Sequence, residues 1–199
     1  MRVLTLFFVF LSASVSLFAQ TATPAGTPQP NSNLTSYTRP DAEARFKRYV
    51  KGTIGPTAFV APVVSAGIRQ WRDTPEEWGQ GAKGYGRRFA DAFGKQLIGN
   101  TITYGLDEAL KLDSHFYKSE KRDFKSRFSN AVLSAVTART KSGRRVIGVP
   151  KLVGTYSAAI IANETWRPNR YDYKDGLRDG SLSIATRIGV NLIREFVFK

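Results

Sequence analysis

Three features of the 199-residue chain predict an all-α domain: a compact bundle of about five or six helices packed through glycine and alanine faces, after a disordered leader. Apolar residues recur at helical spacing in most segments beyond Asp41. Two segments carry small residues at every fourth position, Gly154, Ala158, Ala162 and Ser181, Ala185, Gly189, which lets helix backbones approach closely. Cysteine is absent, so packing rather than disulfides must hold the fold.

Residues 1–19 read as a cleavable signal peptide. Met1-Arg2 gives a positive start, Val3 to Leu11 is uncharged and rich in Leu, Phe and Val, and small residues lead to a cut after Ala19. That run is shorter than the ~20 residues a spanning helix needs. Residues 20–40 carry Pro24, Pro28, Pro30 and Pro40 among Thr, Ser, Asn and Gly, with Arg39 the one charge. Such a composition buries too little apolar surface to offset ordering entropy, and a disordered spacer is expected. A single helical domain over 41–199 follows, long enough for a core of its own.

Asp41 to Lys51 is a short charged helix. Gly52 to Ile68 then runs 17 residues without a charge, with Pro56 and Pro62 able to kink a helix or delay its start, and reads as a buried or interfacial hairpin. Thr74-Pro75-Glu76-Glu77 has the pattern of a capping box with proline at the first helical position, which predicts a helix start. Phe89, Phe93, Leu97, Ile98, Ile102, Leu106 and Leu110 then mark the inward stripe of one long helix, or of two end to end. Asp123 to Arg139 repeats the pattern with Phe124, Phe128, Ala131, Val132 and Ala135, and Ser142-Gly143 breaks it. Pro150 to Trp166 is the next helix, stopped by Arg167-Pro168-Asn169. Asp172 with Asp175 opens the last one, which runs through Ile184, Ile188, Leu192 and Phe196. Leu182, Ile184, Ile188, Val190 and Leu192 also alternate, as in a strand of a small outer-membrane β-barrel. Eight strands would be required and only Ile102-Tyr104-Leu106 offers a second, so helix is the expectation.

The chemistry the residues permit is narrow. Without cysteine there is no thiol catalysis, iron–sulfur cluster or cysteine zinc site, and a single histidine argues against imidazole zinc sites. Gly79-Gln80-Gly81-Ala82-Lys83-Gly84 matches the dinucleotide fingerprint as a string, but no strand precedes it, so close helix or turn packing is expected instead. Asp107 and Lys111 have the spacing of a helical ion pair. Asp172, Asp175 and Asp179 could face a hard cation, although a helix start explains the first two more simply. His115, with Asp113 to orient it, is the one arrangement suited to a general base. No catalytic, cofactor-binding or metal residue is assigned, and no cofactor is expected.

Charge points elsewhere. Lys and Arg number 30 against 16 Asp and Glu, a net charge of +14, and signal cleavage removes only Arg2 from that balance. Between Ser114 and Lys151 ten cations face two acids, and Lys118, Lys121, Arg122, Lys125, Arg127, Arg139, Lys141, Arg144 and Arg145 are the candidates for binding an anionic partner. Phe116, Tyr117, Phe124 and Phe128 are interleaved with them and suit insertion into lipid or a place in the core.

The strings Glu77-Trp78-Gly79-Gln80-Gly81, Gly84-Tyr85-Gly86-Arg87-Arg88-Phe89, Asp113 through Tyr117, Asn163-Glu164-Thr165-Trp166-Arg167-Pro168 and Arg194-Glu195-Phe196 resemble an uncharacterised family of small exported bacterial proteins. The resemblance spans most of residues 52–198. It implies export and a single domain, and it brings no activity to any residue. The expected function is that of an exported, non-enzymatic cell-envelope protein, in the periplasm or outer envelope of a bacterium and membrane-associated. Its expected partners are anionic lipid, lipopolysaccharide or an acidic polymer, with helix-mediated self-association also open and nucleic acid not expected in that compartment. A periplasmic enzyme using His115 with Asp113 and a small outer-membrane β-barrel are the alternatives.

Overall fold

The computed structural model describes residues 37–197. The signal segment and the spacer as far as residue 36 lie outside the described residues. The domain is helical, with one two-stranded hairpin: α1 (Ala42–Ile54), a 3-10 turn (Pro56–Phe59), α2 (Val60–Trp71), a 3-10 turn (Glu76–Trp78), α3 (Gly81–Leu110), α4 (Phe124–Leu133), β1 (Thr137–Arg139), β2 (Arg145–Ile147), α5 (Val149–Thr165) and α6 (Tyr173–Phe196). The alternating residues from Leu182 to Leu192 are inside α6, so the barrel reading is set aside.

Local chemistry starts three of these helices. Asp41 accepts from the Ala44 amide at the head of α1, Asp123 from the Ser126 amide at the head of α4, and Asp172 and Asp175 form a reciprocal capping box on α6. Thr74 does not behave as its pattern predicts. Its hydroxyl donates to the Arg72 carbonyl and its carbonyl accepts from Arg88, while Glu77 pairs with Arg170. The box residues are used elsewhere, the 3-10 turn stops at Gly79 with φ of 66°, and α3 starts only at Gly81. From there α3 is one unbroken helix of 30 residues, closed at Lys111 in the left-handed conformation. Asp123–Arg139 is not one helix either. It ends at Leu133 and the chain enters the hairpin, whose three-residue strands are too short to show a period of two, with Ala138 opposite Val146.

The central helix is α5, with α3 on one flank and α6 on the other; α2 packs outside α3 and α4 outside α6. Backbone approach here depends on missing side chains. A Cβ on Gly154 would stand 2.4 Å from Thr103 Oγ1 and 2.6 Å from the Gly99 carbonyl. On the other flank a Cβ on Gly180 would meet the Tyr156 ring at 2.4 Å, and one on Gly176 the Ile160 Cα at 2.8 Å. The predicted small-residue stripe of α5 is therefore the buried one, whereas α6 turns Gly176 and Gly180 inward and leaves Ser181 and Ala185 exposed.

The polarity of the interior departs from the sequence expectation. Every buried hydrophobic residue among those described is an alanine, and the largest fully buried side chains are Arg88, Glu195, Thr53, Asp91 and three prolines. Of the residues predicted to face inward, Leu97, Leu110, Phe124, Phe128 and Phe196 are exposed. The reason is steric. Close helix approach excludes Phe and Leu from the contact lines, and the i, i+4 rows that fit there are glycine, alanine and hydrogen-bonded polar residues.

Candidate functional site

A charge cluster ties α2, α3, α5 and α6 together around Asp91. The Asp91 carboxylate is fully enclosed. One oxygen accepts from Trp166 Nε1 at 3.0 Å and Arg167 Nε at 3.1 Å; the other accepts from Arg167 Nη2 at 3.0 Å, Lys95 Nζ at 3.0 Å and Arg69 Nη1. Asp179 accepts from Arg167, and Asn163 Oδ1 accepts from the same guanidinium at 2.9 Å. Burial pushes the Asp91 carboxyl up, but Lys95, Arg167 and Arg69 outweigh it and hold the group well below the usual carboxylate range. With both oxygens occupied by cations, Asp91 has no basicity to lend to a reaction. A cavity of about 490 Å³ lies over it, lined by Trp78, Arg87, Ala90, Gly94 and Trp166.

Three further buried polar groups hold irregular segments. Arg88 donates to the carbonyls of Thr74, Pro75 and Gly79 and to the side chains of Gln70 and Asp73, and so organises the whole Gln70–Gly79 connection. Gly84 belongs to the same arrangement, since a Cβ there would lie 2.1 Å from the Gly79 carbonyl. Of the fingerprint-like glycines, Gly84 is thus a packing device, while Gly79 and Gly81 supply the positive φ of the turn before α3. Glu195, near the end of α6, accepts from the Ser119 amide and from Asn130 Nδ2, both at 2.9 Å. Lys151, at the head of α5, donates to the carbonyls of Ser134 and Thr137 at 2.6 and 2.8 Å, and burial lowers its ammonium to about 7. Arg187 donates to Thr155 Oγ1 at 3.1 Å, and its Nη1 is buried without an acceptor among the described residues.

The residues singled out from sequence divide into two groups. Lys118, Lys121, Arg122, Lys125, Lys141 and Arg144 are exposed, the first four around the start of α4 and the last two at the hairpin tip. Arg127, Arg139 and Arg145 are half-buried and structural. Arg127 covers the Phe196 ring and pairs with Glu195, Arg139 lies over the rings of Tyr37 and Tyr117, and Arg145 donates to Asn130. Asp113 does not orient the imidazole of His115. Its oxygens accept from the hydroxyls of Tyr37 and Tyr117 and from the main-chain amide of His115. Asp107 accepts from Ser114 rather than pairing with Lys111, and Glu108 takes the ion pairs with Arg39 and Arg45. Asp172 and Asp175 cap α6 while Asp179 pairs with Arg167, so the three do not converge; no group of acids or histidines suited to a metal occurs among the described residues.

Sequence reasoning passed over Asp91, Arg88, Lys95 and Arg167. One signal was present: Asp91 is the only acid between Glu77 and Asp107, set among Lys83, Arg87, Arg88 and Lys95.

The outer surface complements this interior. Twenty-four large hydrophobic residues are exposed among those described, including Trp71 at 86% and Phe124 at 70%. Phe124 stacks on Phe128 with 6.0 Å between ring centres and leans on Phe196 at 5.3 Å, which places an aromatic cluster among the exposed cations of α4. No helix among the described residues is long and apolar enough to cross a membrane. Comparison with protein-family models, curated proteins and solved structures finds no match to this chain.

Proposed function

We propose that the chain is an exported, non-enzymatic protein of the bacterial cell envelope that attaches to an anionic lipid surface through α4 and the adjoining hairpin. One observation carries this reading: among the described residues the buried positions are held by alanine, glycine, proline and hydrogen-bonded polar groups while many large apolar side chains are exposed, which is stable where the surroundings are themselves partly apolar. Phe124, Phe128 and Phe196 supply apolar area, and Lys121, Arg122 and Lys125 stand beside them for phosphate or carboxylate. Lipopolysaccharide or an acidic polymer offers the same anionic groups without acyl depth. The resemblance to small exported proteins and the leader at 1–19 support the compartment.

Flotation with vesicles tests it. The protein is expected to float with vesicles containing anionic lipid, to stay behind with neutral ones, and to lose retention as salt is added. The variant Lys121→Gln/Arg122→Gln/Lys125→Gln should bind on the order of a hundredfold more weakly, each cation near such a surface contributing about 1 kcal/mol. Retention unchanged by salt and by the triple variant would remove the electrostatic basis of the proposal.

A further inference from the structure

We infer that α2 is a second, membrane-inserting element, laid flat in the acyl region of an anionic bilayer; this rests on the attachment proposed above but on different residues. Gly52 to Ile68 has no charge. Within it, Ala58, Pro62 and Ala66 form one narrow row, the only buried residues between Gly55 and Arg69. The large apolar residues are exposed: Val60, Val63, Val64, Ile68 and Trp71, with Phe59 at the edge of the same face. A helix solvated by water shows the reverse, with large apolar residues on the contact row. The twelve residues of α2 extend about 18 Å, suited to lying in one leaflet rather than crossing two. Phe59 also stacks on Phe93 at 5.2 Å and Phe93 on Phe89 at 6.0 Å, which continues the apolar face onto α3.

Charge at the rim selects the occupant. Lys47 and Lys51 precede the segment and Arg72 follows it, all exposed and without an ion pair among the described residues. Of the acids nearby, Asp73 pairs with Arg88, and Glu76 and Glu77 share Arg170, which leaves one negative charge against these three cations. The rim is therefore net positive. A second copy docked face to face would bring a like-charged rim against it, in a protein of net charge +14. Anionic headgroups around acyl chains match both the rim and the face. Trp71, at the C-terminal end of α2 beside Arg72, has the place of an interfacial anchor.

Trp71 also reports depth. Tryptophan emission is measured for the protein and for Trp71→Phe on anionic vesicles with and without acyl-brominated lipid, and vesicle affinity is measured for Val64→Glu/Ile68→Glu. Bromine should quench part of the emission of the parent protein, and that part should be missing from Trp71→Phe. The double variant should bind at least tenfold more weakly with an unchanged circular dichroism spectrum, while Val64→Leu/Ile68→Leu binds as the parent does. Normal binding with quenching that Trp71→Phe does not alter would overturn the inference and leave attachment through α4 standing. Absence of vesicle binding by the parent protein would overturn both. A blue-shifted Trp71 emission without vesicles at low salt would overturn the inference too: its dependence on protein concentration would identify a second copy as the cover, and independence another segment of the same chain.

Discussion

Single buried ionisable groups determine where the domain is vulnerable. Lys151 has no carboxylate in an ion pair with it among the described residues; two main-chain carbonyls accept from it, Arg187 and Arg145 repel its charge, and Asp107 and Asp113 favour it. Burial lowers its ammonium to about 7, from an ordinary 10.5. Lys95, in the Asp91 cluster, is lowered to about 8, again chiefly by burial. Between those values and 10.5 the unfolded chain holds protons that the folded one has released, so raising the pH favours the folded state. Stability is expected to climb from pH 7 to about 9.5. Above that, Tyr37 and Tyr117, whose hydroxyls are raised by burial and by Asp113, reverse the trend as the unfolded chain loses its phenolic protons first. Urea midpoints at pH 6.5, 8 and 9.5 measure the slope, and Lys151→Met should reduce it. An identical slope in that variant would mean that Lys151 is solvated.

Helix faces were legible to different degrees. The helix entry at Asp172 with Asp175 follows from a few neighbouring residues and is found as read, as a capping box. Gly154, Ala158 and Ala162 were legible as a contact row because α5 is central and packs on both flanks. Periodicity also gave the rows of α3 and α6 but not which row faces in, because close helix approach admits only glycine, alanine and hydrogen-bonded polar residues to the contact lines. On α6 two small-residue rows compete, and Tyr156 and Ile160 of α5 select Gly176 and Gly180, a choice no local pattern contains. The nine cations were legible as a cluster in sequence, yet Arg127, Arg139 and Arg145 turn inward because aromatic rings, Glu195 and Asn130 wait for them in space. The two kinds of glycine separate cleanly by substitution. Gly154→Ala should cost about 1–3 kcal/mol, since its methyl would strike the backbone of α3. Gly189→Ala, with open space around it, should gain up to about 1 kcal/mol from helix propensity. Thermal or urea denaturation compares them, and equal signs would contradict the assigned face of α5 or α6.

At the scale of the whole molecule, an inverted polarity and a large positive charge act against each other. Exposed Phe, Val, Leu and Trp side chains favour association with anything apolar, including other copies. The net charge of +14 opposes contact between copies while favouring anionic surfaces. Screening therefore moves the two tendencies in opposite directions. At about 0.01 M salt repulsion reaches about 30 Å, beyond the length of α2, and at about 1 M it reaches only about 3 Å. Without lipid the protein is expected to sediment as a monomer at low salt and to associate progressively as salt rises, with mild detergent reversing the association. Over the same range its retention on anionic vesicles should decline. Sedimentation velocity at both ends of the range, with and without detergent, checks this. A protein that stays monomeric in high salt would show that its exposed apolar residues are too scattered to form an adhesive surface, and the argument that lipid covers them would lose its energetic basis.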